Sequence, residues 1–281
     1  MKGFLALALA AAPDFLAAAL PKPIHLAFSY DEEIGCFGAP AMIEVIAREL
    51  PRPALVVVGE PTSMEVVSGH KGITAWRVTV TGREAHSAQT HLGVSANMAA
   101  VRLMAALSEL AARLEREADP TSPFLPKHPT LTIGKMAGGT AGNILARECQ
   151  LIFDLRALPG QDARTQLAGF LELATRVDAE IKARAPEGGV VVEQLANVPP
   201  LRPDPDNVAE PFVRRLAGDN GPARVASFAS EAGQFQVSGL PTVLCGPGSI
   251  DQAHQADEYV DISQMERGAA FMVRLAEALQ E

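Results

Sequence analysis

The chain has 281 residues, of which 48% are hydrophobic and 20% charged, and a formal net charge of −9. That length can bury a large core and suits two ordinary domains of a soluble globular protein, since no apolar run is long enough to span a bilayer. The negative balance would repel nucleic-acid phosphates, so the expected partner is a small molecule rather than nucleic acid or a membrane.

The opening string MKGFLALALAAAPDFLAAALPKP has the lysine, apolar stretch and small residues of a secretory signal. Pro13 and Asp14 interrupt the apolar stretch, and alanine and leucine resume beyond them as in an amphipathic helix. Cys36, Cys149 and Cys245 are odd in number and show no pairing pattern. Both features favour a cytoplasmic helix over a secretory leader.

Next, IHLAFSY (residues 24–30) and PALVVVGE (53–60) read as buried parallel strands, because their apolar runs are continuous rather than alternating. APAMIEVIAREL between them reads as a helix ending at Pro51, which makes a β-α-β unit. After Glu60 the pattern changes. GITAWRVTVTG alternates as a half-exposed strand, GVSANMAAVRLMAALSELAARLERE is a long amphipathic helix, and PTLTIGKMAGG and ECQLIFDLRALPG are two further strands. QDARTQLAGFLELATRVDAEIKARA is a second helix and GGVVVEQLA a last strand, completing the ferredoxin-like β-α-β-β-α-β order. Residues 64–198 are therefore predicted to form a second domain inserted into a first made of 1–63 and 199–281. The tail returns to the earlier style, with FVRRLAG as helix, PTVLCGPG as a short buried strand, and a helix from near Ser263 to the end.

Both predicted strands of the β-α-β unit run into acids. Ligands of open α/β sheets bind beyond the carboxyl ends of the strands, so Asp31, Glu32, Glu33 and Glu60 would share one crevice. Neighbouring residues on a strand point to opposite sides, so Glu32 and Glu33 would divide their labour, one on a cation and one on a proton. A solvated turn with three surface acids reads the same way. Glu60 at a second strand end and His254 in a loop tip the reading toward a site, since two Glu and one His are ordinary zinc ligand types. Cys36 and Cys245 read as small buried groups, Trp76 as packing, His128 as loop surface, and Gly246 and Gly248 as a tight turn.

Six strings in order, FSYDEEIG, VVGEPT, GREAHSAQTHLGVSA, GTAGNILARECQLIFDLRALPG, ASFASEAGQFQ and CGPGSIDQAHQADEYV, resemble the acetylornithine deacetylase family. That family lies within the superfamily of two-zinc aminoacylases, carboxypeptidases and succinyl-diaminopimelate desuccinylase. The resemblance implies an α/β zinc-peptidase-like catalytic domain carrying a ferredoxin-like lid that forms a homodimer. It also implies two zinc ions per subunit, with cobalt as a substitute, and hydrolysis of N-acetyl-L-ornithine or a related N-acyl amino acid. By the same resemblance Glu32 is the general base, Glu33 and His254 are ligands of one zinc, and Glu60 is a ligand of the other. His86 in AHSA resembles the lid histidine that reaches across the dimer, with His91 as the alternative. Asn143 and Arg156 lie in lid motifs associated with oxyanion and substrate-carboxylate contacts, and Arg156 alone also reads as a strand-end surface charge.

The chain departs from the family at its start. There the family has a His-x-Asp motif well upstream and a bridging aspartate directly before Met-Lys-Gly, whereas this sequence begins with Met1, Lys2 and Gly3. Neither His25 nor His70 has the partner Asp two residues on. The expectation is that the sequence begins at an internal methionine, through truncation or a misplaced start, and that it binds zinc weakly.

Overall fold

The computed structural model describes residues 1–280. In chain order its elements are α1 (Lys2–Ala17), α2 (Gly38–Glu49), β1 (Val56–Val58), β2 (Gly69–His70), β3 (Ile73–Thr81), α3 (Ala96–Arg116), β4 (Thr130–Gly138) and β5 (Glu148–Arg156). They continue with α4 (Ala163–Gln166), α5 (Ala168–Arg184), β6 (Gly189–Val198), α6 (Ala209–Ala217), β7 (Val225–Ala226), α7 (Ala232–Val237), β8 (Thr242–Leu244) and α8 (Ile262–Gln280). The chain forms two compact units, Lys71–Asn197 and the residues on either side of that segment.

The inner unit follows from period. Along β3 every second residue is buried, and Trp76, Val78 and Val80 stand on the inward face. Antiparallel β5 matches them in register, with Trp76 opposite Phe153 and Val78 opposite Leu151. Onto that face α3 lays Leu103, Leu107, Leu110 and Leu114, spaced by one helical turn. Ser95 starts α3 by accepting a hydrogen bond from the Met98 N–H. The second helix, α5, adds Phe170, Ala174, Val177 and Ile181, with the Phe170 ring edge-on to Phe153 at 5.4 Å between centroids. The strand order is β4-β5-β3-β6, in a β-α-β-β-α-β chain order.

In the flanking unit the strands are short. Parallel pairs join β1 to β8 and β2 to β7. Helix packing carries more of the core: Ala8 of α1, Val213 and Leu216 of α6, Val243 and Phe271 enclose Met64 and Val66. Pro13 sits inside α1 without ending it. Met64–His70 therefore belongs to this unit and not to the inserted one, because Met64 and Val66 are buried in its core and β2 pairs with β7.

Residues 24–30 differ from expectation. They form no strand, and β1 pairs with β8 rather than with them. Phe28 and Tyr30 are 49% and 66% exposed, and the segment borders a groove of about 530 Å³ shared with Met42, Val45 and Ile46 of α2. A continuous apolar run is buried only where elements cover both its faces, and no strand among the described residues pairs with this one.

Asp219 ties this unit together. Its buried carboxylate accepts from the N–H groups of Val66 and Gly221, both at 2.9 Å, and from Arg214 and Arg224, both at 3.0 Å. Burial pushes its pKa up, but these donors outweigh burial and hold it below the ordinary 3.8. Its contribution is therefore present above pH about 4 and lost as pH falls through the lowered folded value. Asp219→Ala leaves the Val66 and Gly221 N–H groups without their acceptor, while Arg214 and Arg224 keep Glu210 and Glu65, and is expected to cost about 1–3 kcal/mol of unfolding free energy, read as a drop in the urea midpoint.

Candidate active site

The acids of DEEIGC lie on a turn. Asp31 and Cys36 have positive φ values of 56° each, Gly35 and Cys36 donate backbone N–H groups to the Glu32 carbonyl, and Gly38 donates to that of Tyr30, leading into α2. On this turn the two glutamates have different partners. Glu32 is half-buried and accepts a weak hydrogen bond from the Cys36 thiol, with Sγ 3.6 Å from Oε1. Glu33 is exposed, and its Oε2 stands 3.1 Å from Nε2 of His254, which projects from a loop.

Glu60 follows β1 and is buried. Its backbone runs close against Gly246, where a Cβ would come within 2.6 Å of the Glu60 carbonyl oxygen. Burial first, then the charges of Glu32, Glu231 and Glu33, push the Glu60 pKa up to about 8. Glu32 is raised by burial and by Glu33, with the Cys36 hydrogen bond and His254 opposing. Glu32, Glu33, Glu60 and His254 thus form one electrostatic cluster within the flanking unit.

Glu231, which opens α7, belongs to the same cluster and was missed in the sequence. It is buried, takes a side-chain hydrogen bond from Ser29, and has its pKa raised by burial and by Glu32. The available signal was an acid set among small and apolar residues in ASFASEAGQFQ.

A zinc centre is not completed by these residues. The donor types suit zinc, but Glu33 and His254 form a pair with no third ligand, and no three His, Cys, Asp or Glu side chains among the described residues converge to hold a metal ion. A catalytic zinc ordinarily takes three protein ligands.

The remaining candidates lie in the inner unit. His86 bridges Ile144, and the Ser87 N–H donates to the Asn143 carbonyl at 2.9 Å, so His86 and Asn143 are neighbours on exposed backbone. The His86 Nδ1 accepts from the Ala88 N–H at 3.2 Å, which leaves the ring proton on Nε2 as an outward donor. His91 lies in the same exposed segment. Arg156 is elsewhere. It ends β5 opposite Thr130, beside Asp154 at 3.7 Å, whereas His86 and Asn143 stand past the Gly138–Cys149 end of the same sheet. Seven residues of strand separate the two ends by roughly 20 Å. One small ligand cannot touch both ends of a single copy. Beneath Arg156 the buried Lys71 donates to the carbonyls of Pro126 and His128, both at 2.8 Å.

Comparison with known proteins adds three findings. Residues 1–278 match the model of peptidase family M20/M25/M40. Acetylornithine deacetylase of Proteus mirabilis is 32% identical over 99% of this chain and 69% of its own length, and that of Salmonella paratyphi B is 35% identical over 93% of this chain and 65% of its own. The chain thus spans about two thirds of the length of these relatives. Among solved structures, a tripeptidase from Staphylococcus aureus superposes with a TM-score of 0.75 at 20% identity, covering 99% of this chain and 70% of its own. An M20 family metallo-carboxypeptidase from Sulfolobus solfataricus gives 0.70 at 15%, covering 99% and 76%. At those identities the structures show a shared fold.

Proposed function

This chain belongs to peptidase family M20/M25/M40, and from that premise we propose that it is an amidohydrolase that removes the acetyl group from N-acetyl-L-ornithine, giving ornithine and acetate for arginine biosynthesis. The reading is supported by the Glu33–His254 pair, with Glu32 and Glu60 in electrostatic reach of it, in a chain 32–35% identical to acetylornithine deacetylases. Two zinc ions per subunit are the proposed cofactor of the whole enzyme, with Glu33, His254 and Glu60 as this chain's ligands. Because those donors fall short of a closed centre, the steps assigned here are those of the chain's own side chains.

Glu32 takes the proton of the attacking water and returns it to the departing amine, a role worth roughly 10²–10⁴-fold. Its raised pKa brings the carboxylate nearer the working pH, where a base transfers protons well. The Nε2–H of His86 donates to the developing oxyanion, a contact of about 3–4 kcal/mol. Asn143 assists at that oxygen, and Arg156 holds the substrate carboxylate through a bidentate pair. Since the His86 and Arg156 ends lie roughly 20 Å apart, two copies would supply them to one substrate. Exposed Met98 and Val101 on α3 and Met136 on β4 offer apolar surface for such a homodimer. Three free, buried cysteines suit a reducing cytoplasm.

The donor shortfall favours a second reading, in which the 281-residue chain hydrolyses nothing and keeps only its pairing surface. A panel of N-acetyl-ornithine, N-succinyl-diaminopimelate, N-acetyl-methionine and a dipeptide, assayed with added zinc or cobalt, decides between them. Highest kcat/KM on N-acetyl-ornithine supports the deacetylase, preference for another member moves the assignment within the family, and no turnover with near zero zinc per chain supports the second reading.

A further inference from the structure

Two strands of the flanking unit end side by side, since Val58 stands opposite Leu244 in the parallel pair of β1 and β8. Beyond that pair each chain runs on toward a proposed ligand, Glu60 just after β1 and His254 in the loop that follows β8. A set of hydrogen bonds around Thr62 joins the two branches. The N–H groups of Thr62 and Met64 donate to the Gly246 carbonyl at 3.2 and 2.8 Å, and the Ser63 N–H donates to the Gly248 carbonyl at 2.6 Å. These bonds hold Ser63 and Met64 at φ values of 58° and 56°, a region that residues other than glycine rarely adopt.

One side chain completes the set. The Thr62 hydroxyl accepts from the Gly246 N–H at 3.1 Å and donates to the Glu65 carbonyl at 2.6 Å, so it acts in both directions at once. Among the described residues the Gly246 N–H has no other acceptor. Without the hydroxyl a partly buried donor and a partly buried acceptor would each lose a partner, which favours withdrawal of the 246–248 turn from the Glu60 turn.

A displacement at Thr62 passes into both branches. Pro61 alone separates Thr62 from Glu60, and the fixed φ of a proline transmits such a shift rather than absorbing it. On the other branch Thr62 forms an antiparallel bridge with Ser249, whose hydroxyl accepts from the Asp251 N–H at 3.2 Å and starts the short helical turn Ile250–Gln252 before His254. Gln252 donates from Nε2 to the Asp261 carboxylate at 3.4 Å, which closes the neck of the His254 loop.

We propose that Thr62 is a positioning residue, whose hydroxyl holds the Glu60 turn and the His254 loop in one arrangement. Its bearing on the reaction rests on the reading of Glu60 and His254 as metal ligands. The coupling of turn to loop needs no metal.

The test is NMR of the isotope-labelled 281-residue chain in EDTA, with the His254 ring signals identified by their loss in His254→Asn. Thr62→Val, which keeps the branched shape without the hydroxyl, is expected to speed amide exchange at Gly246 about tenfold, the scale of one lost hydrogen bond, and to displace the His254 ring signals. Thr62→Ser should keep both near their native values. Thr175→Val, which removes a hydroxyl bond to the Leu171 carbonyl on α5, should change neither. Unmoved His254 signals in Thr62→Val, or equal changes in Thr62→Ser and Thr62→Val, would overturn the proposal. Titration of zinc into metal-free samples then separates it from the ligand reading, with an affinity about tenfold lower in Thr62→Val as the expected result. Equal zinc affinity in the native chain and Thr62→Val overturns the positioning role and leaves the ligands, whereas a His254 response to Thr62→Val in a chain that takes up no zinc keeps the positioning role and removes the ligands. Should Thr62→Val fail to fold, the native chain decides. Because coupling is reciprocal, zinc must then slow exchange at Gly246 severalfold, and no slowing overturns the proposal.

Discussion

Glu32→Ala is expected to lower kcat by roughly 10²–10⁴-fold while the metal content per chain stays level, and Glu33→Ala is expected to lower the metal content itself. The neighbours differ because they have different partners. Glu32 lies half-buried against the Cys36 thiol, whereas Glu33 stands exposed and 3.1 Å from His254. On the proposed roles, removing the proton carrier Glu32 leaves the ligands where they were, and removing Glu33 takes away half of the Glu33–His254 pair. The comparison is made in a form extended to the length of the relatives. In the 281-residue chain zinc binding should be weak, because the Glu33–His254 pair has no third ligand. Two tight sites in a calorimetric zinc titration would sink that expectation, and loss of metal from Glu32→Ala would reverse the assignment of base and ligand.

The inner unit was legible because its signals are local. Trp76, Val78 and Val80 alternate in sequence as they do in burial, and the leucines of α3 recur at the helical period, so strand and helix could be told apart without knowing the neighbours. In the flanking unit α2, α6 and α8 could be read in the same way, but the two-residue strands could not. Gly69–His70 and Val225–Ala226 are strands only because they pair with each other, and two residues carry no period. Residues 24–30 have the composition of a buried strand but stand unpaired, since burial depends on what lies alongside and composition does not report that.

The site divides the same way. Acids at the end of an apolar run could be seen, and their gathering with Glu60 could be inferred from how open sheets bind ligands, although the turn at Asp31 to Cys36 places them and not a strand end. The meeting of Glu33 with His254 joins two distant parts of the chain and was reached through family resemblance, not spacing. Glu231 escaped notice because an acid beside serine and alanine reads as surface until α7 is seen to carry it inward.

The largest contrast is expected from subunit mixing. His86 and Arg156 occupy opposite ends of one sheet, so if both serve the same substrate, each site must borrow His86 from the partner subunit. Extended chains carrying His86→Ala alone or Glu32→Ala alone should then each be nearly inactive. An equimolar refolded mixture should not be, because a mixed dimer holds one site with both Glu32 and a donated His86. With random pairing about half the dimers are mixed and half of their sites are whole, so roughly a quarter of the native activity should return. The Nε2–H of His86 makes the exchange specific: His86→Gln, which still offers a donor, should recover part of the loss within an unmixed dimer, and His86→Phe should recover none. His91→Ala should retain activity in the same assay. No recovery in a mixture shown by mass spectrometry to contain mixed dimers would mean that His86 acts within its own subunit or takes no part in the reaction.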